Sequence, residues 1–66
     1  MRLTINGETR DLAPVSTLSE LIEALSLDTR KVAIERNLEI VPRSLHAATP
    51  VAEGDRIEIV HFIGGG

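Results

Sequence analysis

Only one stretch of this sequence has the period of an amphipathic helix, and that limits the fold more than any other feature. Leu18, Leu21, Ile22 and Leu25 recur at i, i+3, i+4 and i+7, with Ser19, Glu20, Glu23 and Ala24 on the opposite side. Thr17-Leu18-Ser19-Glu20 fits a capping box, in which the Thr17 hydroxyl and the Glu20 carboxylate cover orphan N–H groups of the first turn. A single helix can cover only one face of a sheet. Whatever strands surround it must therefore form a sheet with one face covered and the other open.

The strands are legible from their alternation. Met1 to Ile5 alternates apolar and polar side chains, and Asn6-Gly7 follows, a two-residue hairpin signal because both positions must accept positive φ. Glu8 to Leu12 reads as the return strand, closed by Pro14, which has no N–H to donate to a ladder. After the helix, Leu27 tucks under and Asp28-Thr29-Arg30 connects to an alternating run from Lys31 to Arg36 with Val32 and Ile34 on one side. Asn37-Leu38-Glu39 reads as a turn and Ile40-Val41 as a short strand halted by Pro42. The stretch from Arg43 to Pro50 has no sustained period and is expected to be loop, with one helical turn near Ser44-Leu45-His46. Glu53-Gly54-Asp55 turns into the last strand, Arg56 to Ile63, the longest alternating run in the chain. Ile57, Ile59 and Ile63 share one of its faces with His61; Arg56, Glu58, Val60 and Phe62 share the other.

The order is β-β-α-β-β-β. With the first and last strands parallel at the centre of the sheet and the helix packed across, Leu3, Ile5, Leu18, Leu21, Ile22, Leu25, Val32, Ile34, Ile57 and Ile59 form one core. By analogy this is the β-grasp, or ubiquitin-like, architecture: an α+β fold with a mixed sheet and one main helix on one face. At 66 residues there is room for one small domain, expected over residues 1–63, followed by a flexible tail at 64–66.

Composition removes most functional classes. The chain has no Cys, so no disulfide framework, thiolate nucleophile or Cys-metal site can be built. His46 and His61 lack metal-ligand spacing, and no metal site is expected. Phe62 is the sole aromatic and the net charge is −3, which argues against nucleic acid as a partner. No run approaches the roughly 20 apolar residues of a membrane span, and a strand beginning at Met1 leaves no room for a leader. A cytoplasmic protein, monomeric when free, with no internal catalytic site and no bound cofactor, is the resulting expectation.

Two features point to chemistry. Val60 and Phe62 stand on the face of the last strand turned away from the helix, beside the C-terminus, where they can form a docking surface. The alternative is that the loop over 43–50 covers them. The second feature is Gly64-Gly65-Gly66: bare backbone that can enter a channel too narrow for a Cβ and present the Gly66 carboxylate to another protein's active site. At neutral pH that carboxylate is an anion and a poor electrophile, so it needs activation before a nucleophile can attack it. No strand–GxxxxGK[ST]–helix segment is present, so ATP would be bound elsewhere. His61 reads as a half-buried strand residue or a contact near the patch, His46 as a solvated loop residue, Glu20 and Glu23 as capping and solubilising groups, and Arg43 as a partner for an acid or for another protein.

The whole chain resembles the sulfur-carrier branch of the ubiquitin-like proteins, and within it the ThiS family of thiamine thiazole biosynthesis. The resemblance is carried by Asn6-Gly7-Glu8, by Val32-Ala33-Ile34-Glu35-Arg36-Asn37, by Ile40-Val41-Pro42-Arg43, and by Glu53 through Val60 ahead of the glycine terminus. Residues 8–15 contribute little. The resemblance implies that Gly66 is adenylylated by a ThiF-like adenylyltransferase using ATP. It further implies conversion to a thiocarboxylate by a persulfide and delivery of the sulfur to a ThiG-like thiazole synthase. Gly64 precedes the Gly65-Gly66 pair that such carriers need, and Val60 and Phe62 would serve partner binding. Other readings of the same residues are the small subunit of molybdopterin synthase, a protein modifier that forms isopeptides, and a β-grasp binding module with incidental glycines.

Overall fold

The computed structural model describes residues 1–62. Its elements are β1 (Arg2–Ile5), β2 (Glu8–Asp11), α1 (Leu18–Ala24), a 3-10 turn at Thr29–Lys31, β3 (Val32–Arg36), β4 (Glu39–Val41), a second 3-10 turn at Arg43–Leu45, and β5 (Arg56–His61). The five strands form one sheet in the order β2-β1-β5-β3-β4. β1 and β5 are parallel at its centre, while β1–β2, β3–β4 and β3–β5 are antiparallel. The expected mixed sheet with one helix is the observed one; Ile63, the last residue of the expected domain, and the tail expected at 64–66 lie outside the described residues.

The core forms where the covered face of the sheet meets the helix. Leu3, Ile5, Leu18, Leu21, Ile22, Val32, Ile34, Val51 and Ile57 are buried, and Leu25 and Ile59 pack partly buried against them. Each fully buried Leu or Ile contributes about 1.5–3 kcal/mol relative to exposure. Leu25 and Ile59 sit at the rim instead of the centre because α1 ends at Ala24. Val51 joins the core unannounced by any periodicity.

The two ends of α1 show why it stops where it does. At the N-terminus Thr17 Oγ1 accepts from the Glu20 N–H at 3.2 Å. The Glu20 carboxylate reaches one residue beyond the capping-box pattern, accepting from the Ser16 N–H at 2.9 Å. The next two orphan donors go to the 43–50 loop: Leu18 N–H to the Thr49 carbonyl at 3.0 Å and Ser19 N–H to the His46 carbonyl at 3.1 Å. At the C-terminus Leu27 N–H donates to Ile22 O and Ser26 N–H to Glu23 O, with Ser26 at φ 60°. That pair of bonds is a Schellman motif with serine where glycine is usual. It turns Leu27 back under the helix.

This docking corrects the expectation for His46. Its side chain is 1 % exposed, not solvated. Nε2 donates to the Val41 carbonyl at 3.1 Å, since a carbonyl can only accept, and Nδ1 pairs with the Thr29 hydroxyl at 2.7 Å. The imidazole thus ties the 43–50 loop to β4 and to the turn leading into β3. Nothing in the local sequence pattern announces this, because both partners are supplied by other elements.

Candidate functional site: the open sheet face and the end of β5

The register fixes what the uncovered face carries. Ile34 and Ile59 are opposite one another and point to the helix, so the flanking pairs, Glu35 with Glu58 and Ala33 with Val60, point away from it. On β4, Ile40 is opposite Glu35 and shares this outer face. Val60 is 61 % exposed, Phe62 54 % and Ile40 77 %. The 43–50 loop does not cover Val60 and Phe62; its carbonyls hold the first turn of α1 instead. The expected partner-binding pair is therefore exposed, and Ile40 extends the apolar surface toward β4.

The approach to the C-terminus is held on both sides. Phe62 N–H donates to the Lys31 carbonyl at 2.7 Å, one step past the last residue of β5. On the other side β1 has ended, and the Asn6 side chain takes over. Its Oδ1 accepts from Ile59 N–H at 2.7 Å and its Nδ2 donates to Ile59 O at 3.2 Å. Asn6 can do this because it sits in the β1–β2 turn at φ 52°, followed by Gly7 at φ 79°. Gly64, Gly65 and Gly66, the residues expected to present the reactive carboxylate, lie outside the described residues.

His61 is exposed and lies away from Val60 and Phe62, lining an open cleft of about 480 Å³ between the end of α1, the β1–β2 hairpin and β5. It is neither half-buried nor part of the patch. Arg36 pairs with the buried Asp55 at 2.8 Å and Asp28 with Arg30 at 2.9 Å; these ion pairs serve turns. The Arg30 side chain and N–H hold the Asp28 carboxyl down at about 2. Among the described residues no group of three His, Asp or Glu could hold a metal ion, and no helix is long and apolar enough to cross a membrane.

A mixed five-stranded sheet with its first and last strands parallel at the centre and one helix across it defines a ubiquitin-like protein of the β-grasp class. More narrowly, the chain belongs to the ThiS family, whose model matches residues 3–66 and so includes the terminal glycines. Sulfur carrier protein ThiS of Bacillus subtilis is 34 % identical over 65 residues, covering 97 % of this chain and 98 % of its own. The crystal structure of the thiamine biosynthesis protein ThiS from Geobacter metallireducens superimposes with a TM-score of 0.83 at 35 % identity, all of both chains being covered. A thiazole synthase of Paramagnetospirillum magneticum is 54 % identical over the whole of this chain, which spans only 20 % of that protein's length. The relatives matched over nearly their whole length are named sulfur carrier proteins, whereas the chain spans about a fifth of the thiazole synthases it matches.

Proposed function

We propose that this chain carries sulfur on the carboxyl group of Gly66 for assembly of the thiazole ring of thiamine. The observation that carries the reading is the position of Val60 and Phe62, exposed on the open sheet face within six residues of a glycine terminus that falls inside the family match. An apolar surface there can hold a partner while side-chain-free backbone reaches its active site.

The chemistry runs through partners. A ThiF-like adenylyltransferase binds ATP; the Gly66 carboxylate attacks the α-phosphorus and pyrophosphate leaves. A persulfide sulfur then attacks the acyl carbon and AMP departs. A thiol cleaves the resulting acyl disulfide, being itself oxidised to a disulfide, and leaves the thiocarboxylate on Gly66. A ThiG-like thiazole synthase takes the sulfur from it. The thiazole synthase relative that contains a ThiS-like fifth supports that second partner. Gly64 and Gly65 give the access, and the chain needs no cofactor of its own for any step.

The test is intact mass of the chain after incubation with ATP, sulfide and the adenylyltransferase, with and without an alkylating agent. Replacing oxygen by sulfur adds about 16 Da, as would a sulfoxide at Met1, but only the thiocarboxylate alkylates readily in a chain without Cys. An alkylated species mapped to Gly66, lost when Gly66 is deleted, is expected. An unreactive chain overturns the reading in favour of a modifier or a simple binding module.

A further inference from the structure

β1 stops short of the end of β5. Thr4 and Ile5 pair in parallel with Arg56 and Ile57, the Asn6 N–H reaches the Ile57 carbonyl at 2.9 Å, and the chain then turns away through Gly7 into β2. β5 runs on to His61. Past Ile57 its β3 side stays paired, through Ile34 with Ile59, Ala33 with Val60 and Val32 with His61, but its β1 side has lost its strand. The Asn6 side chain takes that strand's place: Oδ1 accepts from the Ile59 N–H at 2.7 Å and Nδ2 donates to the Ile59 carbonyl at 3.2 Å. The hairpin turn asks only for positive φ at this position, which glycine and aspartate also accept. Of these three residues only asparagine offers a donor and an acceptor together, the complement of a strand's own N–H and C=O. The turn accounts for the backbone of Asn6; Ile59 accounts for its side chain.

We propose that Asn6 is a positioning residue for activation of Gly66, acting through Ile59. The inference rests on the sulfur-carrier reading above. Val60 follows directly on Ile59 and Phe62 two residues later, and both expose their side chains at the strand end that leads to the C-terminus. With β5 held on both edges at Ile59, those side chains meet the adenylyltransferase on a strand already in sheet geometry. Without the amide, β3 alone holds the end of β5, and part of the ordering cost moves from folding to docking. Apparent affinity then falls in proportion to the fraction of chains whose strand end is in place. Once docked, the chain presents the same carboxylate, so the chemical step is unaltered.

Pyrophosphate release by the adenylyltransferase is followed at saturating ATP while the concentration of full-length chain is varied. Four chains are compared: wild type, Asn6→Gly, Asn6→Asp and Val51→Ala. Asn6→Gly removes both bonds, and Asn6→Asp keeps the turn but sets a carboxylate oxygen against the Ile59 carbonyl. Both raise KM for the chain by about 5- to 10-fold and leave kcat within about two-fold of wild type. Val51→Ala measures what lowered stability does by itself. Val51 is a buried residue bonded to Ser16 ahead of α1, whereas His61 lies beside the other end of that helix. Its KM stays at the wild-type value, with melts of the free chains showing each variant folded at the assay temperature. Three outcomes overturn the inference: KM unchanged in both Asn6 variants, an equal rise in Val51→Ala at a matched drop in melting temperature, or kcat falling while KM holds. Pyrophosphate release from wild type with a KM indifferent to Asn6 removes this inference alone, whereas no release from wild type removes the carrier reading with it.

Discussion

The amide of Asn6 closes on both backbone groups of Ile59, accepting from its N–H at 2.7 Å and donating to its carbonyl at 3.2 Å. β1 pairs in parallel with β5 through Thr4 and Ile5, and the Asn6 N–H donates to the Ile57 carbonyl at 2.9 Å. The Asn6 side chain supplies the next rung from within the turn. The strand that leads to the C-terminus is thereby held on its β1 side for two further residues.

Asn6→Gly separates the two roles of this residue. Glycine keeps the positive φ of the turn but removes both bonds to Ile59, and stability should fall by about 1–2 kcal/mol. Asn6→Ala should lose more, since alanine adds left-handed strain. Chemical denaturation measures the loss, and amide exchange locates it at Ile59. Unchanged protection of that N–H in Asn6→Gly would show that β3 alone holds the strand.

Leu38 occupies the second position of the β3–β4 turn at φ 73°, after Asn37 at φ 50°, and is 76 % exposed. A type I′ turn favours glycine there, and the leucine side chain packs on little that would offset the strain. Leu38→Gly should stabilise the domain by about 1 kcal/mol. A thermal melt that falls instead would mean that Leu38 makes contacts outweighing its backbone cost.

Much of the fold was readable because it rests on short-range pattern. The stripe Leu18-Leu21-Ile22-Leu25, the Asn6-Gly7 turn and the alternation of Val32, Ile34, Ile57 and Ile59 each specify their own element, and one helix leaves one sheet face open. His46 and Val51 were illegible for the opposite reason. Their burial depends on the 43–50 loop folding onto the N-terminus of α1, a contact between distant segments with no period of its own. Val60 and Phe62 could be placed on the open face from alternation alone. The confrontation of Glu35 with Glu58 could not, because it depends on the register between strands 23 residues apart in sequence. The capping box was right in kind but displaced by one residue, since the chain before Thr17 curls far enough for Glu20 to meet Ser16.

Acid should weaken the fold through Asp55. Burial pulls its carboxyl upward, but bonds from the Ala52 N–H, the Asn37 amide and the Arg36 guanidinium outweigh this and leave it below the ordinary value. A depressed carboxylate stabilises the fold above the unfolded value of about 3.9 and loses that contribution as pH falls through the folded one. Stability should therefore be level near neutrality and drop below about pH 4. Asp55→Asn should cost about 2 kcal/mol at pH 7 and flatten the acid limb. An acid limb identical to wild type in urea melts would assign the dependence to other carboxylates, Asp28 first among them.

His46→Phe keeps a ring of similar shape but strips the Val41 carbonyl and the Thr29 hydroxyl of their partner. Buried groups left unpaired cost about 1–3 kcal/mol, and the loss should appear as a lower denaturation midpoint with an unchanged slope. Thr29→Val removes one of the two bonds and should cost less. Equal stability of His46→Phe and wild type would mean that water replaces the imidazole, and that the 43–50 loop is less closed than the 1 % exposure of His46 indicates.

Phe62 tests the docking surface most directly, because its backbone and side chain do different work. The N–H holds the Lys31 carbonyl and survives substitution, while the ring is 54 % exposed and lends little to the core. Phe62→Ala should change stability by no more than about 0.5 kcal/mol. If the ring anchors the adenylyltransferase, its removal should weaken binding by about 10-fold or more, as truncation of an aromatic anchor does elsewhere. Phe62→Asp should weaken it further by burying a charge against an apolar partner surface, and Val60→Ala should weaken it less because it deletes less area. Binding titrations with each variant, alongside melts of the free chain, read the two effects separately. Dissociation constants unchanged for all three would remove the end of β5 from the interface, leaving Ile40 as the apolar surface to which a partner must be fitted.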